Sequence, residues 1–326
     1  MTTERNGKIL VIGAVGQVGR SLTRELRARV GADRVVAAGR ATEPPAELRA
    51  AGPFEKLDAT DKAALDRVIR RHAIGTIYHL AAVLSADGEK DPVRAWTINV
   101  ESLRNVLDLA VAHSLAGVFW PSSIAAFGPT TPRENTPQRT VLEPTTLYGV
   151  TKVLGENLCH YYFKRHGLDV RSLRYPGLLT YETYSGGGTS DYSVEMFIEA
   201  LRHGRYTCFV RPDTTMPLMY IDDAVRATIE LMQAPAQRIS IRTSYNLTAL
   251  SFSAAELAAE VARRVPGFVC DYQPNFRQAI ADSWPRTIDD SAARQDWGWQ
   301  PRVDLAMLCD TMLRGVADMA AKGVRL

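Results

Sequence analysis

The chain has 326 residues, 46% of them hydrophobic and 23% charged, with a formal net charge of +3. This length suits one large domain or two unequal ones, and its dispersed lysines and arginines argue against a nucleic-acid or membrane partner. No stretch approaches an apolar membrane span and no signal-type segment precedes the first strand, so a soluble cytoplasmic protein is expected; four scattered cysteines without a CxxC favour reduced thiols and no metal site.

Lys8 to Gly13 is an apolar run of strand length that opens into Gly13-Ala-Val-Gly16-Gln-Val-Gly19, followed by a helical pattern through Leu22, Leu26 and Val30. Strand, glycine turn and helix form the context of a dinucleotide fingerprint. Gly13 would permit the turn, Gly16 the approach of a pyrophosphate to the helix N-terminus, and Gly19 close packing. Gln17 and Val18 in the same turn are expected to line the cofactor. The next strand, Arg34 to Gly39, ends in Arg40 where an acidic residue would grip a ribose. Arg40 suits a 2′-phosphate or open solvent, which leaves NAD and NADP both open. Asp58 closes a third strand at Phe54 to Asp58, either near an adenine edge or as a cap for a helix starting near Asp61.

A fourth strand, Thr76 to Leu80, runs into Ala81 and Ala82, small enough for backbone to lie against a cofactor. A long helix containing Asn99 is expected from Pro92 to His113, then a fifth strand from Gly117 to Pro121. Ser122 and Ser123 lie just past its carboxyl end, the edge where parallel sheets bind ligands. His79 reads as a satisfied buried histidine. Gly128 to Pro144, with four prolines, is expected to be a loop.

Tyr148 and Lys152 follow, four residues apart on one face of a helix capped by Thr145 or Thr146. An ammonium beside a phenol stabilises the phenolate and is expected to lower the tyrosine pKa. A sixth strand, Asp169 to Tyr175, ends at Pro176-Gly177, with Tyr175 and Pro176 expected against the cofactor. Strand and helix alternate up to this point, the signature of a doubly wound parallel α/β sheet. Residues 1–177 are therefore expected to form the dinucleotide-binding domain, with some later segments returning to it, and residues 178–326 mainly a smaller mixed α/β substrate-binding region. That region is expected to have helices at Asp191 to Arg202, Asp222 to Met232 and Ser253 to Val265, and closing helices near Asp289 and Asp304. Short strands are expected at Thr207 to Val210, Pro217 to Tyr220 and Tyr245 to Leu247.

Gly13-x-x-Gly16-x-x-Gly19, His79-Leu-Ala-Ala82, Asn99, Ser123 and Tyr148-x-x-x-Lys152, in this order, resemble the extended short-chain dehydrogenase/reductase family. Arg174-Tyr-Pro-Gly177, Gly186-Gly-Gly-Thr-Ser-Asp-Tyr192, Tyr206-Thr-Cys-Phe209, Ser244-Tyr-Asn-Leu247 and Phe276-Arg-Gln-Ala-Ile-Ala-Asp-Ser-Trp-Pro285 narrow the resemblance to the short-chain type of L-threonine 3-dehydrogenases. The resemblance implies a homodimer that oxidises the L-threonine β-hydroxyl with NAD to give 2-amino-3-oxobutyrate. In that reading Tyr148 is the general base, Ser123 holds the oxygen and Ser122 supports it. Lys152 tunes the tyrosine and binds the nicotinamide ribose, and Asn99 supports the group. A zwitterionic substrate would find a backbone nest at Gly186, Gly187 and Gly188, hydroxyls at Thr189 and Ser85, and a carboxylate at Asp191 that equally suits a helix cap. Trp284 would close the apolar side or simply pack. A sugar-nucleotide epimerase or dehydratase using the same three residues is the alternative enzyme. A non-catalytic dinucleotide sensor is the other alternative.

Overall fold

The structure is a computed structural model and describes residues 7–40, 44–183 and 188–323. Strands β1 (Lys8–Ile12), β2 (Val35–Gly39), β3 (Phe54–Lys56), β4 (Ile74–His79) and β5 (Gly117–Phe119) are joined by helices α1 (Gln17–Val30), α2 (Ala46–Ala50) and α3 (Lys62–His72). Between β4 and β5 lie α4 (Ser85–Lys90), α5 (Pro92–Trp96), a π-turn at Thr97–Glu101 and α6 (Ser102–Ala112). A two-residue strand β6 (Ser122–Ser123), helix α7 (Leu147–His166) and strands β7 (Val170–Arg171), β8 (Leu173–Tyr175) and β9 (Gly177–Leu179) complete the first half.

The main sheet has the order β3-β2-β1-β4-β5-β7, all parallel. The strand order reverses between β1 and β4, which opens a crevice at their carboxyl ends. The expected fold class is the one observed. Side chains alternate through the sheet. Leu10, Ile12, Val36 and Ala38 face α3, α6 and α7, whereas Val11, Val35 and Ala37 face α1. Each fully buried Leu, Ile or Val contributes about 1.5–3 kcal/mol, so this two-sided apolar pattern dictates a central, covered sheet.

The single run read as a sixth strand divides at Ser172. β7 ends the main sheet, and β8 pairs with β6 and with β12 (Tyr245–Asn246). Pro121, which has no N–H to donate, separates β5 from β6 in the same way, while the Trp120 N–H still reaches Arg171 O at 3.1 Å.

The second half adds α8 (Tyr192–His203), β10 (Arg205–Cys208), β11 (Thr215–Tyr220) and α9 (Ile221–Gln233) before β12. Beyond it come β13 (Leu250–Ser253), α10 (Ala254–Arg264), β14 (Val269–Tyr272), α11 (Arg277–Asp282), α12 (Ser291–Trp297) and α13 (Leu305–Ala321). Ser253 and Glu256 form a capping box at the start of α10. Helix α9 packs on α1, and one continuous core joins Val11, Leu22 and Leu26 to Ala224, Val225, Leu257 and Trp299. Among the described residues no helix is long and apolar enough to cross a membrane, and no group of three or more His, Cys, Asp or Glu could hold a metal ion.

Candidate active site

The Thr146 side chain caps α7 by accepting from Gly149 N at 3.1 Å, which fixes where the helix begins and hence which face carries Tyr148 and Lys152. Ser123 ends β6 and hydrogen-bonds the Tyr148 hydroxyl, while its Oγ also accepts from Ala125 N at 3.2 Å. Lys152 is buried. Its Nζ donates to Pro121 O at 2.6 Å and lies 4.5 Å from the Trp120 ring centroid and 5.3 Å from that of Tyr148. The fold therefore gathers Ser123, Tyr148 and Lys152 at the carboxyl edge of the sheet.

Electrostatically the group differs from the sequence expectation of a lowered phenol. Burial pushes the Tyr148 phenol up to about 12, against the Ser123 hydrogen bond, and pulls Lys152 down to about 7, against Cys159 and Glu156. Tyr148 remains partly exposed, so water tempers its rise. The ammonium is turned toward the Pro121 carbonyl and the Trp120 face rather than onto the phenol oxygen.

Asn99 lies in the π-turn. Its Oδ1 accepts from Val83 N at 2.7 Å, and its Nδ2 donates to Val83 O at 3.0 Å and Thr151 Oγ1 at 3.2 Å. Thr151 in turn donates to Tyr148 O at 2.8 Å. Asn99 thus ties the loop after β4 to the helix that carries the reactive pair.

At the crevice, Gly13 has φ +86°, and a Cβ there would meet Ala81 N at 2.8 Å. A Cβ on Gly19 would lie 2.1 Å from Gly13 O, so helix α1 can sit this close to the turn only with glycine. Gly16 is different. A Cβ there would meet only Gly13 O, at 3.4 Å, so the protein's own packing leaves space above it. No side chain caps α1 and no acidic residue lies in its first turn, which leaves its N–H groups directed toward that space. Gln17 donates to Leu178 O at 3.3 Å, Val18 is partly buried against the core, and Leu80 N donates to Ile12 O at 2.8 Å beside Ala81 and the exposed Ala82. This cradle fits a dinucleotide pyrophosphate.

Arg40 and Asp58 meet each other, Nη1 to Oδ2 at 3.7 Å. Burial would raise the Asp58 carboxyl, but hydrogen bonds from Thr60, and Arg40, hold it below the ordinary range. Asp61, not Asp58, caps α3.

Several expected residues turn elsewhere. Ser122 donates to Glu156 Oε1 at 2.6 Å and is buried away from Ser123, because successive strand residues face opposite sides. Tyr175 is buried with its hydroxyl against Thr228, so only backbone there and at Pro176 can meet a cofactor. Trp284 is buried in the core, its carbonyl accepting from Arg133 at 3.0 Å, which removes it as a closing surface. Asp191 Oδ2 accepts from Gly188 N at 2.8 Å. Ser85 and Thr189 are buried, and Gly186 and Gly187 lie outside the described residues. His79 is only half satisfied: Nε2 meets Ser102 Oγ at 2.8 Å, and Nδ1 has no partner. Sequence reading missed Trp120, Pro121 and Glu156 as neighbours of Lys152. Only Glu156, four residues on along the helix, had a readable signal.

Residues 9–247 match the NAD dependent epimerase/dehydratase family. This chain belongs to that family. A nicotinamide dinucleotide is accordingly its cofactor, in agreement with the cradle at Gly13, Gly16 and Ala81. Within the family the chain is 46% identical to the mitochondrial L-threonine 3-dehydrogenase of Bos taurus, over 94% of this chain and 82% of that one. The holo form of a GalE-like L-threonine dehydrogenase from Cupriavidus necator superposes with a TM-score of 0.91 at 50% identity, covering 95% and 99% of the two chains. A monomeric L-threonine 3-dehydrogenase from a metagenome, in its apo form, superposes with a TM-score of 0.91 at 45% identity, with coverage of 95% and 99%.

Proposed function

We propose that this protein oxidises the β-hydroxyl of L-threonine to the ketone of 2-amino-3-oxobutyrate with NAD as acceptor. The observation that carries the reading is the joining of Tyr148, Ser123 and Lys152 at the same sheet edge as the open glycine cradle, in a chain about half identical to enzymes named for this reaction. Gly13, Gly16 and the N-terminus of α1 would hold the pyrophosphate, and Leu80, Ala81 and Ala82 would flank the nicotinamide half. When bound, the oxidised nicotinamide supplies the hydride acceptor and a positive charge beside the tyrosine.

Tyr148 takes the hydroxyl proton. For this its phenol must fall from about 12, and the neighbouring Lys152 ammonium and the bound nicotinamide would supply stabilisation of that sign. Ser123 donates to the substrate oxygen and aligns it with the tyrosine. Lys152, held by Pro121 O, would bind the nicotinamide ribose. In this reading the loop from Gly188 to Asp191, with Thr189, would meet the carboxylate and ammonium of threonine.

NAD is favoured over NADP because Arg40 is drawn to Asp58 instead of standing free for a 2′-phosphate. The protein acts as a homodimer, a reading supported by apolar side chains exposed on α5 and α7.

The deciding measurement is the growth of reduced-nicotinamide absorbance on adding L-threonine with NAD and, side by side, with NADP. Turnover with NAD, and a kcat lowered about 10²–10⁴-fold in Tyr148→Phe, are the expected results. No turnover with either dinucleotide overturns the substrate, and a Tyr148→Phe protein of near wild-type rate overturns the base.

A further inference from the structure

Beneath the reactive group, β8 and α7 are joined by a buried ion pair, which β6 meets through Ser122. Glu156 is 1% exposed. Its Oε1 accepts from Ser122 Oγ at 2.6 Å and Arg174 Nε at 2.8 Å, and its Oε2 accepts from Arg174 Nη2 at 2.7 Å. Arg174, 3% exposed on β8, gives Nη1 to Asn246 Oδ1 at 3.0 Å and Gln138 O at 3.1 Å. Asn246 in turn donates through Nδ2 to Thr136 O and Asp289 O, each at 3.1 Å. The network therefore gathers α7, β6, β8, β12 and two loops onto one carboxylate.

Such a pair is costly to desolvate, and apolar residues of similar volume would serve packing at least as well. Its position suggests another use. Strand β6 is two residues long and is cut off from β5 by Pro121, so its ladder holds it weakly. Ser122 and Ser123 point to opposite sides, and fixing Ser122 from below sets where Ser123 stands above. Glu156 also lies one helical turn past Lys152. The titratable groups around Lys152 are Tyr148, Glu156 and Cys159 on α7 and His79 on β4; burial keeps Cys159 a thiol and His79 neutral, so Glu156 supplies the negative charge.

We propose that Glu156 and Arg174 are positioning residues: through Ser122 they hold Ser123 in register with Tyr148, and the Glu156 carboxylate keeps Lys152 an ammonium. This rests on the roles given above to Ser123, Tyr148 and Lys152. Removing the Glu156 charge, alone or together with Arg174, takes away the anion one helical turn from Lys152, which drives the Lys152 pKa down. Removing both members leaves no lone charge.

The test uses the full-length protein with Glu156→Gln, Glu156→Gln/Arg174→Met and Ser122→Ala. Each is followed by kcat, KM for threonine and kcat against pH, and by NMR titration of Lys152 without dinucleotide, its signal assigned with Lys152→Arg. Glu156→Gln is expected to move the Lys152 titration and the alkaline limb of kcat to lower pH by about one unit. The double variant shows the same shift without a lone buried cation. Ser122→Ala lowers kcat about tenfold with little change in KM and no movement of the Lys152 titration, the mark of an orientation loss. A wild-type Lys152 titration in Glu156→Gln overturns the charge role, and a wild-type kcat in Ser122→Ala overturns the register role. Should Glu156→Gln not fold, a double variant with a wild-type Lys152 titration overturns the charge role instead. A Tyr148→Phe protein that keeps its rate fails the underlying catalytic reading and leaves a shifted Lys152 titration standing, so the two failures are told apart.

Discussion

His79 shows how burial alone decides a residue's chemistry. Ser102 donates its hydroxyl to Ile98 O, so it can only accept from the ring, which makes Nε2 the protonated nitrogen and leaves the bare Nδ1 without a partner. Burial, and then the charge of Lys152, pull the His79 pKa down to about 3 from 6.5. The folded pKa lies below the unfolded one, so the unfolded chain binds the proton first as pH falls. This stabilisation is complete above about pH 6.5 and is lost progressively toward about pH 3. At about pH 5 it amounts to a loss of about 2 kcal/mol. Urea unfolding of the wild type and His79→Gln between neutral pH and about pH 5 should show a shallower decline for the variant. Parallel slopes would mean that His79 takes up its proton in the folded state.

At the scale of the element, α7 carries two glycines that helix propensity disfavours by about 1 kcal/mol each. A Cβ on Gly149 would lie 2.2 Å from Ala125 O, and one on Gly155 2.3 Å from the Trp120 ring. Both glycines thus let the helix press against the turn that follows Ser123 and against the ring beneath Lys152. Gly155→Ala should destabilise the protein by about 1–3 kcal/mol despite alanine's better propensity, and should lower kcat as Trp120 is pushed toward Lys152. Denaturant midpoints measured beside kcat test both effects, and a more stable variant would contradict the close approach. The cap at Thr146 and the spacing of Tyr148 to Lys152 were legible because they are local. The glycines were not, since their reason is a neighbour more than twenty residues away. The same holds for the π-turn within the expected Pro92 to His113 helix, which aims Asn99 at Val83 and Thr151. Strands β13 and β14 and helices α4 and α11 escaped sequence reading because they are short and weakly periodic, with pairing partners far along the chain.

Over the whole molecule, the alternation of strand and helix up to Tyr175 made the doubly wound sheet readable, whereas the way the second half closes over it was not. One core runs from Leu22 on α1 to Trp299, because α9 packs against α1 and against β9 and β11. One group of exposed apolar side chains lies on the other side. Helix α5 exposes Val93 and Trp96, 79% and 41% accessible, beside α7, which exposes Val150 and Tyr161, 42% and 55% accessible. Val150, Leu154, Asn157 and Tyr161 follow one helical face, away from the buried Lys152. A large apolar surface shared by two adjacent helices suits an isologous contact between two copies, and a stable one buries about 1,200–2,000 Å² in all. Because α7 carries Tyr148 and Lys152, such a contact would also brace the catalytic helix from behind. Sedimentation should give twice the chain mass for the wild type and the single-chain mass for Val150→Glu/Tyr161→Glu, with a lower melting temperature at equal concentration. A wild type that sediments as one chain, as the name of the metagenome relative records for that enzyme, would leave the exposed face without a second copy to cover it.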